Sequence, residues 1–376
     1  MNAVPVARLL GFEIRIHVSW AVILAVIAVS VVGEIGETAP GTTTATRWLI
    51  GGAVAAGFLL SALAHELGHA IVARRAGFPG GPVIVYFFGG AASAVLEARR
   101  PRDEAMVALA GPIVSLVIGA VALVIAAVTA RAEDGPLLVI GQVAFIVGVL
   151  DLILGGVNLV PAFPLDGGRV ARSVGWAYTG DPDRGLRIAG RSGRWLGSAL
   201  AAVGTVVILV VDPIDGLMLA LCGWFLVVSG RAVERTADVE RQLEGIRVGD
   251  IMDRDGTRIP AGLTLDTFGD QVLTMAGEAV PVVDGSAVVG LLGNRQVRRV
   301  RRDRWPATRA GDLMAPAETL PMIVPDTTVR TALEHLRRSG LDGLAVTEAG
   351  AVTGIVTRRA VSDAIRARLA GRPLPS

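Results

Sequence analysis

His65-Glu66-Leu67-Gly68-His69 lies inside an apolar run, Trp48 to Ala73, long enough to cross a bilayer. In a helix, residues four apart share a face, so His65 and His69 can offer two imidazole nitrogens to one zinc ion. Glu66, one residue on, stays free to act as a base, the division of labour of a metal-dependent hydrolase. The pentapeptide also fits a buried helix whose His69 merely lies near the Arg74-Arg75 pair. Two histidines and a glutamate at membrane depth are costly to desolvate, however, and such groups mark function more often than packing.

A second motif closes another apolar run: Asn158-Leu-Val-Pro161-Ala-Phe-Pro164-Leu165-Asp166-Gly167-Gly168-Arg169. Catalytic zinc usually takes three protein ligands and keeps one position open, so two histidines need a third donor, distant in sequence and near in space. Asp166 meets that need. The prolines end the helix, and Gly167 and Gly168 are expected to let the backbone turn tightly, so that the carboxylate projects back toward the bundle. The plainer alternative is a Pro-Gly turn with a solvated aspartate.

Hydrophobic residues make up 52% of the chain and the mean hydropathy is +0.57, beyond an ordinary soluble domain. The apolar residues concentrate before about position 230, which predicts a polytopic α-helical membrane domain with a soluble tail. Six spans are expected: Ile14 to Val32, Trp48 to Ala73, Ala105 to Ala130, Pro136 to Val160, Trp195 to Val211 and Ile214 to Ser229. The last two are short against the roughly 20 residues that cross a bilayer core untilted.

Every cationic side chain is arginine. Arg8 and Arg15 precede the first span, Arg74, Arg75, Arg99, Arg100 and Arg102 lie between the second and third, and Arg169, Arg172, Arg184, Arg187, Arg191 and Arg194 follow the fourth. By the positive-inside rule these loops are cytoplasmic, as are both termini. His65 then lies about 25 Å along its span, in the cytoplasmic third of a core about 30 Å thick. Asp166 follows a span of the same direction and arrives at the same side.

Between the second and third spans, the stretch Pro82 to Leu96 is apolar and β-prone around Gly89-Gly90. It predicts a membrane-associated hairpin packed in the bundle, whose edge can take an extended peptide as an added strand or simply plug the bundle. Asp151, seven residues before Asn158, is expected to serve helix packing or a bridging water, and His17 to sit at the interface. Cys222 is the lone cysteine, which excludes an intramolecular disulfide.

With these residues in place, the first 230 positions or so resemble the site-2 protease family of intramembrane zinc metalloproteases. The matches are His65 to His69, Phe88-Gly89-Gly90, Ala110-Gly111-Pro112 at the start of the third span, and Asn158 to Gly168. Ser115 departs from the asparagine often found there. By that resemblance one Zn2+ ion is held by His65, His69 and Asp166, Glu66 activates water, and Asn158 helps position the peptide or the oxyanion. The reaction implied is hydrolysis of a peptide bond in a membrane-spanning protein within the lipid bilayer. The expected substrate is a single-span regulatory protein of the anti-sigma factor type. Arginine and alanine usage suggests a high-GC bacterium, hence its inner or plasma membrane.

From about Gly245 the pattern becomes soluble α/β, and two segments repeat. Ile246 to Met252 corresponds to Arg309 to Met314, and each is followed by an extended stretch, a helix, and then Ala279-Val-Pro-Val-Val283 or Gly343-Leu-Ala-Val-Thr347. The tail resembles a pair of cystathionine-β-synthase (CBS) domains, which commonly bind adenine nucleotide between the repeats. Here the usual ribose-binding threonine and aspartate correspond to Gly293 and Gln296, and to Thr357 and Ala360, so both aspartates are missing. A dimerisation or docking module is the plainer reading. The expected organisation is therefore a protease domain over 1–235 and CBS repeats over 246–305 and 306–370. Membrane-flanking arginines account for much of the basic balance, so no nucleic acid is implied. The rival class is a transporter or channel with regulatory tails, which needs a polar pathway across the whole bilayer; here the polar groups gather at one end of two spans.

Overall fold

The computed structural model describes residues 3–78, 81–85, 98, 100–132, 135–243, 245–254, 257–274, 279–285, 287–339, 342–348, 351–370 and 372–374. The chain divides into two units, Met1–Ala237 and Asp238–Ser376.

The first unit opens with an antiparallel hairpin of β1 (Ala3–Leu9) and β2 (Phe12–His17). Its turn residues Leu10 and Gly11 both have positive φ, 51° and 85°, as a type I′ turn requires. The first span therefore begins at Ser19 and not at Ile14. Phe12, Ile14 and Ile16 alternate with Glu13 and Arg15, a period-two strand pattern that merges with the apolar run behind it. Strand β3 (Val83–Val85) adds parallel to β2, pairing Ile14 with Val83 and Ile16 with Val85. The rest of the expected 82–96 hairpin, Gly89-Gly90 included, lies outside the described residues.

Seven helices follow among the described residues: α1 (Ser19–Thr38), α2 (Thr44–Arg75), α3 (Pro101–Thr129), α4 (Gly135–Asn158), α5 (Asp166–Thr179), α6 (Pro182–Val210) and α7 (Pro213–Gln242). All but α5 are long and apolar enough to cross a membrane. The last two helices are longer than the expected spans: α6 is extended at its start by turns that carry Arg184, Arg187, Arg191 and Arg194, and α7 beyond Ser229 by turns that carry Arg231, Glu234 and Arg235. Thr43 caps α2 by accepting from the Thr46 amide, and the Asp181 carboxylate caps α6 by accepting from the amides of Asp183 and Arg184. Helix α3 starts with Pro101 and places Asp103 and Glu104 in its first turn, where the helix dipole favours negative charge.

Small residues set the spacing of this bundle. A methyl group on Gly148 would lie 3.1 Å from the Gly119 carbonyl oxygen, and one on Gly68 would lie 3.1 Å from that of Ala110. Helix α3 thus approaches both α4 and α2 almost backbone to backbone, the close packing available where lipid competes for apolar surface. Val117, Val124, Leu137 and Ile153 face outward instead. The strands lie against the motif-bearing helix: Phe12, Ile14 and Val83 pack on Leu63, Leu67, Ala70 and Ile71. Arg74 anchors the hairpin, donating to the Leu10 carbonyl at 2.7 Å while its guanidinium covers the Phe12 ring at 4.4 Å.

In the second unit, β4 (Ile259–Pro260), α8 (Leu265–Thr274), β5 (Ala279–Asp284), β6 (Ala287–Gly293) and α9 (Asn294–Val297) make the first repeat. Helix α10 (Ala310–Leu313) and β7 (Ala315–Pro316) lead into β8 (Met322–Ile323), α11 (Val329–Ser339), β9 (Gly343–Glu348), β10 (Ala351–Thr357) and α12 (Arg358–Leu369). The sheets have the orders β4-β5-β6-β7 and β10-β9-β8. Each repeat starts with the same cap: Asp250 accepts from the Arg247 amide at 2.8 Å and Asp312 from that of Arg309 at 3.2 Å. The starts are exchanged, since Ala315–Pro316 pairs with β6 while Asp253 bridges to Ile355 of β10. Neither repeat completes its sheet region alone.

Candidate metal centre

Helix α2 presents His65 and His69 one turn apart, and α5 begins at Asp166. His65 Nε2, His69 Nε2 and Asp166 Oδ2 form a triangle whose three edges each measure 3.2 Å. Tetrahedral zinc, with nitrogen and oxygen ligands at about 2.0–2.1 Å, holds those atoms about 3.3 Å apart, so the triangle matches that ion. The donor chemistry agrees. His69 Nδ1 faces the Val107 carbonyl oxygen at 2.7 Å, which can only accept, so Nδ1 carries the proton and Nε2 presents its lone pair. His65 Nδ1 meets the fully buried Ser115 hydroxyl at 2.9 Å; with that hydroxyl accepting, His65 Nε2 presents its lone pair as well. Two lone pairs and a carboxylate oxygen facing one another are an unfavourable group unless a cation stands among them.

One face of α3 serves as the template for the imidazoles. Val107 and Ser115 hold the two Nδ1 atoms, and between them Gly111 lies directly against the rings. A methyl group at Gly111 would collide with His69 Nε2 and lie 2.6 Å from His65 Nε2. In the sequence Ser115 is a small departure from the motif; in the structure it orients His65. The signal that reveals it is its position one turn beyond Gly111 on the same helical face.

Asp166 is placed by longer-range contacts. Helix α4 stops at Asn158 and Pro161 and Pro164 prevent its continuation. Gly167 and Gly168 are helical residues in the first turn of α5, so their expected role as turn residues is corrected. They are needed for close approach: a methyl group on Gly167 would strike the Leu159 and Val160 carbonyl oxygens, and one on Gly168 would lie 2.7 Å from the Phe163 nitrogen. Helix α6 supports the loop, with Ser192 Oγ donating to the Pro161 carbonyl at 2.6 Å.

Glu66 is half-buried next to His65, in the electrostatic field of both imidazoles, Asp166 and Arg169. Asn158 ends α4, where its amide donates to the Leu154 carbonyl at 2.9 Å; it makes no hydrogen bond to the triangle. Asp151 is fully buried and accepts from Ser61, one turn before His65, joining α4 to α2. His17 lies at the end of β2 with its Nδ1 2.9 Å from Ser19 Oγ. In the tail, the positions expected to contact ribose are engaged in capping: Thr357 Oγ1 accepts from the Ala360 amide at 3.1 Å, and Gln296 Oε1 from the Gly293 amide at 2.9 Å.

Residues 53–133 match the family model for peptidase family M50, and residues 310–367 match that for the CBS domain. Rip3 of Mycobacterium tuberculosis, named as a zinc metalloprotease, is 34% identical over 382 residues, covering 100% of this chain and 96% of its own length. A protein of Synechocystis with the same description is 29% identical over 96% of this chain and 94% of its own. A zinc metalloprotease of Methanocaldococcus jannaschii is 24% identical over 96% and 94%. Similarity therefore runs through the membrane unit and the tail together, and this multi-pass membrane chain belongs to peptidase family M50, the zinc metalloproteases of the site-2 protease type.

Proposed function

We propose that the protein hydrolyses a peptide bond within or beside a transmembrane segment of another protein, using one zinc ion held by His65, His69 and Asp166. The observation that carries this reading is the equal-edged triangle of donor atoms at the junction of the membrane-crossing α2 and helix α5. Zinc bound there supplies Lewis acidity, which acidifies water and polarises a carbonyl. Glu66 takes the proton of the attacking water on its carboxylate and passes it to the leaving amine nitrogen. Asn158 positions the peptide or the developing oxyanion, exchanging its bond to Leu154 for one to the substrate. A helical substrate must unwind before its carbonyl can be reached, so residues of low helix propensity near the cut favour cleavage.

The arginine-rich loops argue for cytoplasmic termini in a bacterial plasma membrane, with the protease domain over 1–235 and the repeats over 246–305 and 306–370 in the cytoplasm. A membrane-anchored regulator of the anti-sigma factor type suits such a site, as in regulated intramembrane proteolysis. The tail acts in dimerisation or docking, because Thr357 and Gln296 already cap helix starts, and adenine nucleotide is the alternative ligand. In the full-length protein, Glu66→Gln is expected to retain zinc while abolishing cleavage of a single-span substrate. Proteolysis surviving in that variant would remove Glu66 from the mechanism.

A further inference from the structure

We infer that the buried ion pair between Glu104 and Arg172 is a positioning device for Asp166, an inference that rests on the zinc site proposed above. Arg172 Nη1 lies 3.0 Å from Glu104 Oε1, joining α5 to α3. Glu104 is 1% exposed, and among the described residues neither its Oε2 nor the Arg172 Nε has a partner. As a source of stability this is a poor arrangement. Two desolvated charges share one hydrogen bond, and well-packed apolar side chains of similar volume often do as well or better.

Its placement gives the pair a second use. Glu104 precedes Val107, Gly111 and Ser115 at helical spacing, so the face of α3 that sets both imidazoles also carries the carboxylate that grips α5. Arg172 follows Asp166 by six residues in one unbroken helix, roughly 9 Å along its axis. Fixing Arg172 therefore fixes the register of Asp166 against α3 and, through α3, against His65 and His69. The Ser192 contact with Pro161 holds the loop before Asp166 to α6, which carries no member of the triangle. The Glu104–Arg172 link, the side-chain hydrogen bond between α3 and α5 among the described residues, refers the third donor to the same template as the other two. Arg194 and Glu234, 2.7 Å apart between α6 and α7, form a pair of the same chemistry that lacks this reference.

The test measures zinc affinity by chelator competition and thermal unfolding without zinc, both in the full-length protein. The double variant Glu104→Leu/Arg172→Met exchanges the pair for apolar volume and so separates folding from positioning. It is expected to unfold near the native temperature yet bind zinc about ten- to a hundred-fold more weakly, the range seen when groups that orient metal ligands are removed. Arg172→Lys should recover part of that affinity, whereas Arg194→Ala should shift unfolding alone. Native zinc affinity in the double variant would overturn the positioning role. Native affinity in Asp166→Ala would instead overturn the zinc site itself.

Discussion

His65 and His69 reach the triangle of donor atoms through one turn of α2, whereas Asp166 reaches it through a proline-bounded loop, a helix start and contacts with α3, α4 and α6. The histidine half depends on a period of 3.6 residues, which any stable helix supplies. The aspartate half depends on backbones packed so closely that two glycines cannot bear a side chain. The first half survives small shifts of the bundle because both donors move together. In the second, the third donor arrives on a separate element, and every ångström of drift changes two edges of the triangle.

Gly111→Ala is the harshest way to break this contrast, since it strikes the template common to both halves. Alanine is favoured over glycine in a helix by about 1 kcal/mol, so local propensity predicts stabilisation. The added methyl group nevertheless occupies space held by the His65 and His69 rings, and the expected outcome is loss of both zinc and peptidase activity. Elemental analysis of the purified variant checks it; full zinc content would show that α3 is not the template. Gly167→Ala tests the aspartate half alone. Its methyl group meets carbonyl oxygens of the backbone, which cannot swing aside as a side chain can. Overpacking of this kind costs about 1–3 kcal/mol, and both the unfolding temperature and zinc affinity should fall. A drop in stability with native zinc affinity would mean that the loop can move without moving Asp166.

Ser115→Ala tests the histidine half and should have the smallest effect. It removes the hydroxyl that orients His65 without disturbing the backbone. About a tenfold loss of zinc affinity is expected, at the lower end for such orienting groups, with unfolding of the zinc-free protein unchanged. If Ser115→Ala proved as damaging as Gly167→Ala, the claim that the helical half is the more tolerant would fall.

Much of this architecture was legible from residue order. All six expected spans overlap an observed helix, and the second, third and fourth agree with theirs to within four residues at each end, because a run of about 20 apolar residues has few other uses. The misplaced start of the first span has a plain cause: β2 is itself apolar at alternate positions and runs straight into α1. Helix α5 escaped notice because Gly167, Gly168, Arg169 and Arg172 dilute its apolar pattern, although they are the residues that dock it. In the tail, the two repeats could be aligned from their shared starts, but the exchange of those starts between sheets leaves no trace in local pattern.

The sequence by itself determined the chemistry: which side chains can bind zinc, which can act as a base, and that two of the donors share a helical face. These follow from residue type and a spacing of four, which need no distant partner. Tertiary structure alone decided that Asp166 stands 3.2 Å from both imidazoles, that Ser115 and Val107 orient them, and that Glu104 grips the helix behind the aspartate. Each of those contacts joins residues 38 to 101 positions apart. Such contacts are set by how closely glycine-bearing helices can approach, a property of the packed bundle that no single segment possesses.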